Sequence, residues 1–107
     1  MLDEIRDLNR RMFEAFKPDK IEEVDGAFGL ALEGRHGRML LWKWTPATCL
    51  EEAVACRPKG RALSLMIYNE LISEATYYGD GEHNGEHREP AAAVCLALLA
   101  WREHHEA

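Results

Sequence analysis

Eleven consecutive apolar residues, Ala91 to Trp101, follow Pro90, and no other stretch limits the possible fold so tightly. Proline at a first helical position forfeits no hydrogen bond, Glu89 suits the positive helix end, and Arg102, His104 and His105 suit the negative one. The pattern predicts a helix over Pro90–Trp101. A helix apolar on every side needs cover on more than one face, yet this run falls well short of the roughly 20 residues that span a bilayer. It is expected to be the most buried element of a soluble core, with other elements packed around it.

A chain of 107 residues supports one modest core, so residues 1–107 are expected to form a single compact domain. With 47% hydrophobic and 30% charged residues, the composition is neither membrane-like nor disordered. Asp3, Glu4 and Arg6 follow Met1 too closely for the apolar segment of a secretory signal, which makes the cytoplasm the expected compartment. Cys49, Cys56 and Cys95 are odd in number and lack C-x-x-C spacing, so they are expected as reduced thiols. Cys95, inside the apolar run, is expected to serve as a small hydrophobe.

Leu2, Ile5, Leu8, Met12, Phe13 and Phe16 recur at helical spacing and predict an amphipathic helix over Leu2–Lys17, stopped by Pro18. Asp19 and Glu22 stand in capping-box relation, with Ile21, Val24, Phe28 and Ala31 or Leu32 on one face, which favours a second helix through Leu32. Alternation of Phe28, Leu30 and Leu32 keeps a strand over 27–33 as the competitor. Gly34-Arg35-His36-Gly37 is a turn by composition, and Arg38–Trp44, followed by Pro46, is an extended segment with Leu40, Trp42 and Trp44 expected on one face. Thr45 or Thr48 can cap a helix over Ala47–Cys56 with Leu50, Ala53 and Val54 facing inward. Ala62–Tyr68 and Ile72–Tyr78 are expected as the two strands of a hairpin, against a single long helix as the alternative. Residues 79–88 are expected to form a polar loop.

The formal net charge of −6 argues against nucleic-acid binding by the whole surface, but its distribution is uneven. Between residues 35 and 61, Arg35, Arg38, Lys43, Arg57, Lys59 and Arg61 face only Glu51 and Glu52. Trp42 and Trp44 beside Arg38 and Lys43 have the composition of a stacking platform for a base, whereas the plainer reading places both tryptophans at the margin of the core. Arg38, Trp42, Lys43, Trp44, Arg57, Lys59 and Arg61 are therefore the candidate ligand- or partner-binding residues. His83, Glu86 and His87, with His104 and His105 further on, lack the helical H-E-x-x-H arrangement, and no metal is assigned to them. No activated nucleophile, paired-carboxylate motif or cofactor fingerprint stands out, so neither catalytic residues nor a cofactor are assigned.

The motifs also occur in a telling order: an amphipathic helix, Lys17-Pro18-Asp19, Val24-Asp25-Gly26-Ala27, Trp44-Thr45-Pro46-Ala47-Thr48-Cys49-Leu50-Glu51-Glu52-Ala53, and Glu89-Pro90-Ala91-Ala92-Ala93-Val94-Cys95-Leu96-Ala97-Leu98-Leu99. This order resembles the small bacteriophage and prophage proteins described as having an αβα (ABA) sandwich domain. Cys49 and Glu51 stand where that family tends to have Ser and Asp, and Glu89 replaces a Thr. The resemblance implies an α+β fold, a small αβα-type sandwich with a short antiparallel sheet packed with three to four helices, and it carries no catalytic residues across. The functional expectation is a non-enzymatic phage or prophage accessory protein, without a membrane role, that binds a host or phage protein or itself. Self-association is expected as a homodimer with Trp42 or Trp44 near the contact. Recognition of an anion, nucleotide or nucleic acid by the basic segment 35–61 is the alternative.

Overall fold

Leu8 and Met12, one helical turn apart, are both buried on α1 (Leu2–Phe16), so the 3.6-residue spacing at the start of the chain does face a core. The computed structural model describes residues 2–58 and 61–106. After α1 come β1 (Glu22–Val24), β2 (Ala27–Gly34), β3 (Gly37–Lys43), α2 (Leu50–Ala55), β4 (Ala62–Ile67), β5 (Ser73–Tyr78), β6 (Glu82–His87) and α3 (Pro90–Glu106). The fold is α+β, with two antiparallel three-stranded sheets, β1-β2-β3 and β4-β5-β6, and three helices among the described residues.

The helix expected through Leu32 is instead β1, a tight turn and most of β2, in keeping with the competing strand over 27–33. The decisive residues are Asp25 (φ 52°) and Gly26 (φ 82°), which take the left-handed backbone of a two-residue hairpin turn and bring Val24 opposite Ala27. Asp-Gly is the favoured sequence for that turn, and it outweighs the Asp19–Glu22 capping pattern.

A second correction concerns residues 79–88. Despite the composition Glu-His-Asn-Gly-Glu-His, residues 82–87 form β6, paired with β5 from Tyr78↔Glu82 to Ser73↔His87. Gly85 explains it. A Cβ there would lie 2.3 Å from the Ala93 carbonyl oxygen and 2.4 Å from the Ala97 nitrogen, so only glycine lets α3 lie directly on the strand. β4 and β5 form the expected hairpin, its corner held by Asn69 Oδ1, which accepts from the Leu71 (2.7 Å) and Ile72 (3.1 Å) amides.

α3 is central, as its composition demands. It packs against β5 and β6 on one side and against α1 and α2 on the other, and Ala92, Ala93, Val94, Cys95, Ala97 and Leu98 are fully buried. Each Leu or Val removed from water in this way contributes about 1.5–3 kcal/mol. The helix continues past Trp101 to Glu106. Among the described elements, only α3 covers the sheet β4-β5-β6, and it does so on one face. α2 is shorter than the sequence implies. Its N-cap is Cys49, without a side-chain cap, and Leu50 is exposed; the expected caps serve the preceding turn instead, where the Thr45 carbonyl accepts from the Thr48 and Cys49 amides and Glu52 reaches back to the Thr45 amide. Buried Asn9 Oδ1 accepts from the Ala47 amide at 2.9 Å and ties that turn to α1.

Candidate functional site

Beyond the buried Phe28 and Ala31, the β2–β3 hairpin carries its apolar side chains out of the core rather than into it. Pairing of Phe28 with Glu23, Leu30 with Trp42 and Leu32 with Met39 puts Phe28, Leu30, Leu32, Met39 and Trp42 on one face. Only the base of that face is covered by α1: the Phe28 ring lies 4.6 Å from that of Phe13, Phe13 meets Trp44 edge-on at 6.5 Å, and the Arg10 guanidinium lies over Phe28. Beyond the base the face meets solvent, with Leu32 48%, Met39 59% and Trp42 48% exposed.

The register shifts between Leu30 and Ala31, which face Trp42 and Leu40, so Leu41 is an extra residue on β3 and stands 65% exposed. This bulge overturns the expectation that Leu40, Trp42 and Trp44 share a face. Leu40 pairs with Ala31 on the opposite side of the sheet from Leu30 and Trp42. Gly29 allows the geometry, since a Cβ there would fall 1.9 Å from the Trp42 carbonyl oxygen.

The seven residues singled out by sequence are not one site. Arg38, Trp42 and Lys43 lie exposed on β3. The Arg38 guanidinium is held by Glu22 and Glu33, which raise its pKa above the ordinary arginine value, chiefly through the Glu22 hydrogen bond. Trp44, 5% exposed, belongs to the core with Phe13 and cannot serve as a stacking surface or a dimer contact. Arg57 and Arg61 both act electrostatically on the Tyr77 hydroxyl, and Arg61 reaches Asp80 at 3.7 Å. Lys59 lies outside the described residues.

Around Tyr77 the structure gathers groups that the sequence scatters. The Tyr77 ring meets Trp101 edge-on at 5.3 Å, His83 Nε2 is 3.1 Å from the Gly79 carbonyl oxygen, and the His83 and His104 rings are 5.5 Å apart. Burial raises the Tyr77 pKa, with Arg61 and Arg57 pulling the other way. His87 stands at the other end of β6, where Nδ1 accepts from the Glu89 amide and Nε2 meets Glu4 at 2.6 Å. Glu86 pairs with Glu74 on the opposite face of the strand from both histidines. Among the described residues no three His, Cys, Asp or Glu side chains are grouped to hold a metal ion. Burial pushes the Cys56 thiol up to about 11, with Glu52 adding to the shift, and raises the fully buried Cys95 thiol further, so neither is disposed to act as a thiolate nucleophile near neutral pH.

A second apolar surface escapes the sequence reading altogether. Met66, Ile67, Tyr68, Leu71 and Ile72, at the end of β4 and the corner that follows, are all exposed. The signal is the unbroken run Leu65-Met66-Ile67-Tyr68, since a strand covered on one face leaves every second member of such a run outside. Comparison with known protein families, characterised proteins and solved structures found no match for this chain.

Proposed function

We propose that this chain is a non-enzymatic, protein-binding module that contacts its partner through the apolar face of the β2–β3 hairpin. The observation that supports this reading is Leu32, Met39 and Trp42, each about half exposed or more, forming a face continuous with the core through Phe28 and Phe13. Contiguous exposed apolar surface is a hallmark of interaction sites, and aromatic residues, Met and Arg are the types enriched there. The fitting partner is a protein with a complementary apolar patch. A phage or prophage setting, and kinship with αβα-sandwich phage proteins, enter this reading through the motif order alone.

The alternative, phosphate or nucleotide recognition by segment 35–61, is less well served, because Arg38 already lies between two carboxylates and Trp44 is buried. The test compares the wild type with a Leu32→Ser/Met39→Ser/Trp42→Ser variant whose circular dichroism and melting temperature are unchanged. A host protein retained by the wild type and lost by the variant supports the reading. Equal retention by both, or binding to short oligonucleotides that weakens steeply between low and moderate salt, overturns it.

A further inference from the structure

Sheet edges are normally defended. Natural strands at an edge carry charges, prolines or bulges, or are very short, because unpaired backbone groups invite another strand. Here β1 has three residues, β3 has the Leu41 bulge with Arg38 and Lys43, and β6 has Glu82 and Glu86. β4 has none of these. Residues 62–67 read Ala-Leu-Ser-Leu-Met-Ile, pair with β5 without a register shift, and touch no described element other than β5 and α3. Their inner face is also poorly covered, because α3 lies mainly over β5 and β6; Ile67 is 62% exposed although it pairs with the buried Ser73.

We propose that β4 pairs antiparallel with β4 of a second copy of this chain across a two-fold axis, forming one continuous six-stranded sheet. Such an axis keeps each residue on its own face, so the two residues of every pair are both odd-numbered or both even-numbered. Placing Leu65 on the axis sets Leu65 against Leu65, Leu63 against Ile67, Ser64 against Met66 and Ala62 against Tyr68. The inner-face residues Leu63, Leu65 and Ile67 of both copies then form an apolar seam between the two α3 helices. Moving the axis to Ser64 would set Ile67 against Arg61, and moving it to Met66 would set Leu63 against Asn69.

Charge is compatible with the same register. Residues 62–69 carry no charged side chain, while Arg61 and Glu70 flank them with opposite signs. In this register Arg61 falls opposite the other copy's Asn69, so neither end of the contact sets like charges against each other. The surface is separate from the hairpin face, so this inference and the proposed partner contact fail independently.

Light scattering coupled to size exclusion over a concentration series tests it. The wild type is expected at twice the 12.2 kDa chain mass at high micromolar concentration. Ile67→Lys is expected to raise the concentration at which the dimer half-dissociates by about 100-fold or more, tenfold at each of its two symmetric sites. Because Ile67 is exposed in the single chain, its melting temperature at low concentration should not change. Ser64→Lys should weaken the dimer, and adding Met66→Glu, which this register sets against position 64 of the other copy, should restore it, a rescue that loss of folding could not produce. A mass of 12.2 kDa at high concentration overturns the proposal, as does a dimer insensitive to Ile67→Lys or one abolished by Leu41→Lys instead.

Discussion

Both sheets have three antiparallel strands, yet they obtain their cover differently. The β1-β2-β3 sheet contains the large apolar residues Phe28, Leu30, Leu40, Leu41 and Trp42, yet most of β3 stands in solvent. The β4-β5-β6 sheet includes a strand of glutamate, histidine, asparagine and glycine, and it is packed against the most buried helix of the chain. Side-chain hydrophobicity thus accounts poorly for which strand is buried. What separates the sheets is whether a partner element can come close, and Gly85 beneath Ala93 and Ala97 allows this on one side only.

The contrast is broken most severely at α3. Leu98→Asp places an unpaired carboxylate in the centre of the core, a cost of several kcal/mol against the roughly 5–15 kcal/mol stability of a small domain. No folded protein is expected, and a soluble variant with an unchanged melting temperature would place the helix outside the core. The two tryptophans sharpen the comparison within one strand segment. Trp44→Ala should cost about 3–5 kcal/mol, as large-to-small core changes do, while Trp42→Ala should stay within about 0.5 kcal/mol. Urea titration of both variants checks this, and equal losses would mean that the hairpin face is covered in solution.

Gly85→Ala should cost about 1–3 kcal/mol by forcing α3 away from β6, which corresponds to a melting temperature roughly 4–8 °C lower for each kcal/mol. Calorimetry measures it, and a neutral result would mean that the helix lies further from the strand than described. High pH should act on the same half of the molecule. The Cys56 thiol is raised to about 11 in the folded chain, so the unfolded chain surrenders its proton first. Stability from this source is full below about pH 9 and is lost as the pH climbs through about 11, and the raised Tyr77 and Cys95 values act in the same direction. Melting temperatures from pH 8 to 11 should fall, less so in Cys56→Ser. The smallest effect is expected on the hairpin, where Arg38→Ala removes exposed ion pairs with Glu22 and Glu33 and should leave the urea midpoint almost unchanged.

The legibility of the sequence follows the same division. The α1 and α3 patterns are local and repeat over several turns, and the structure places both helices in the core. The β1–β2 turn is also local, written in Asp25-Gly26, but the competing Asp19–Glu22 signal points to a helix. β6 has no local signature, because its state depends on a helix that follows it in sequence. Among the candidate binding residues, Trp42 and Trp44 are indistinguishable by alternation. Only the three-dimensional position of Phe13 separates the buried one from the exposed one, and the Leu41 bulge that turns Leu40 away has no alternation signature at all.

The position of α3 in the chain has a consequence for how the molecule comes together. Every surface that α3 covers precedes it, and the ion pair between Arg11 and Glu103 closes a separation of 92 residues. The core therefore depends on long-range closure, which slows folding relative to locally connected helical domains. Until residues 90–106 leave the ribosome, the strands β4, β5 and β6 lack the helix that shields them. During synthesis the apolar residues of β4 and β5 stay uncovered until α3 emerges, and exposed segments of this kind favour clustering of nascent chains.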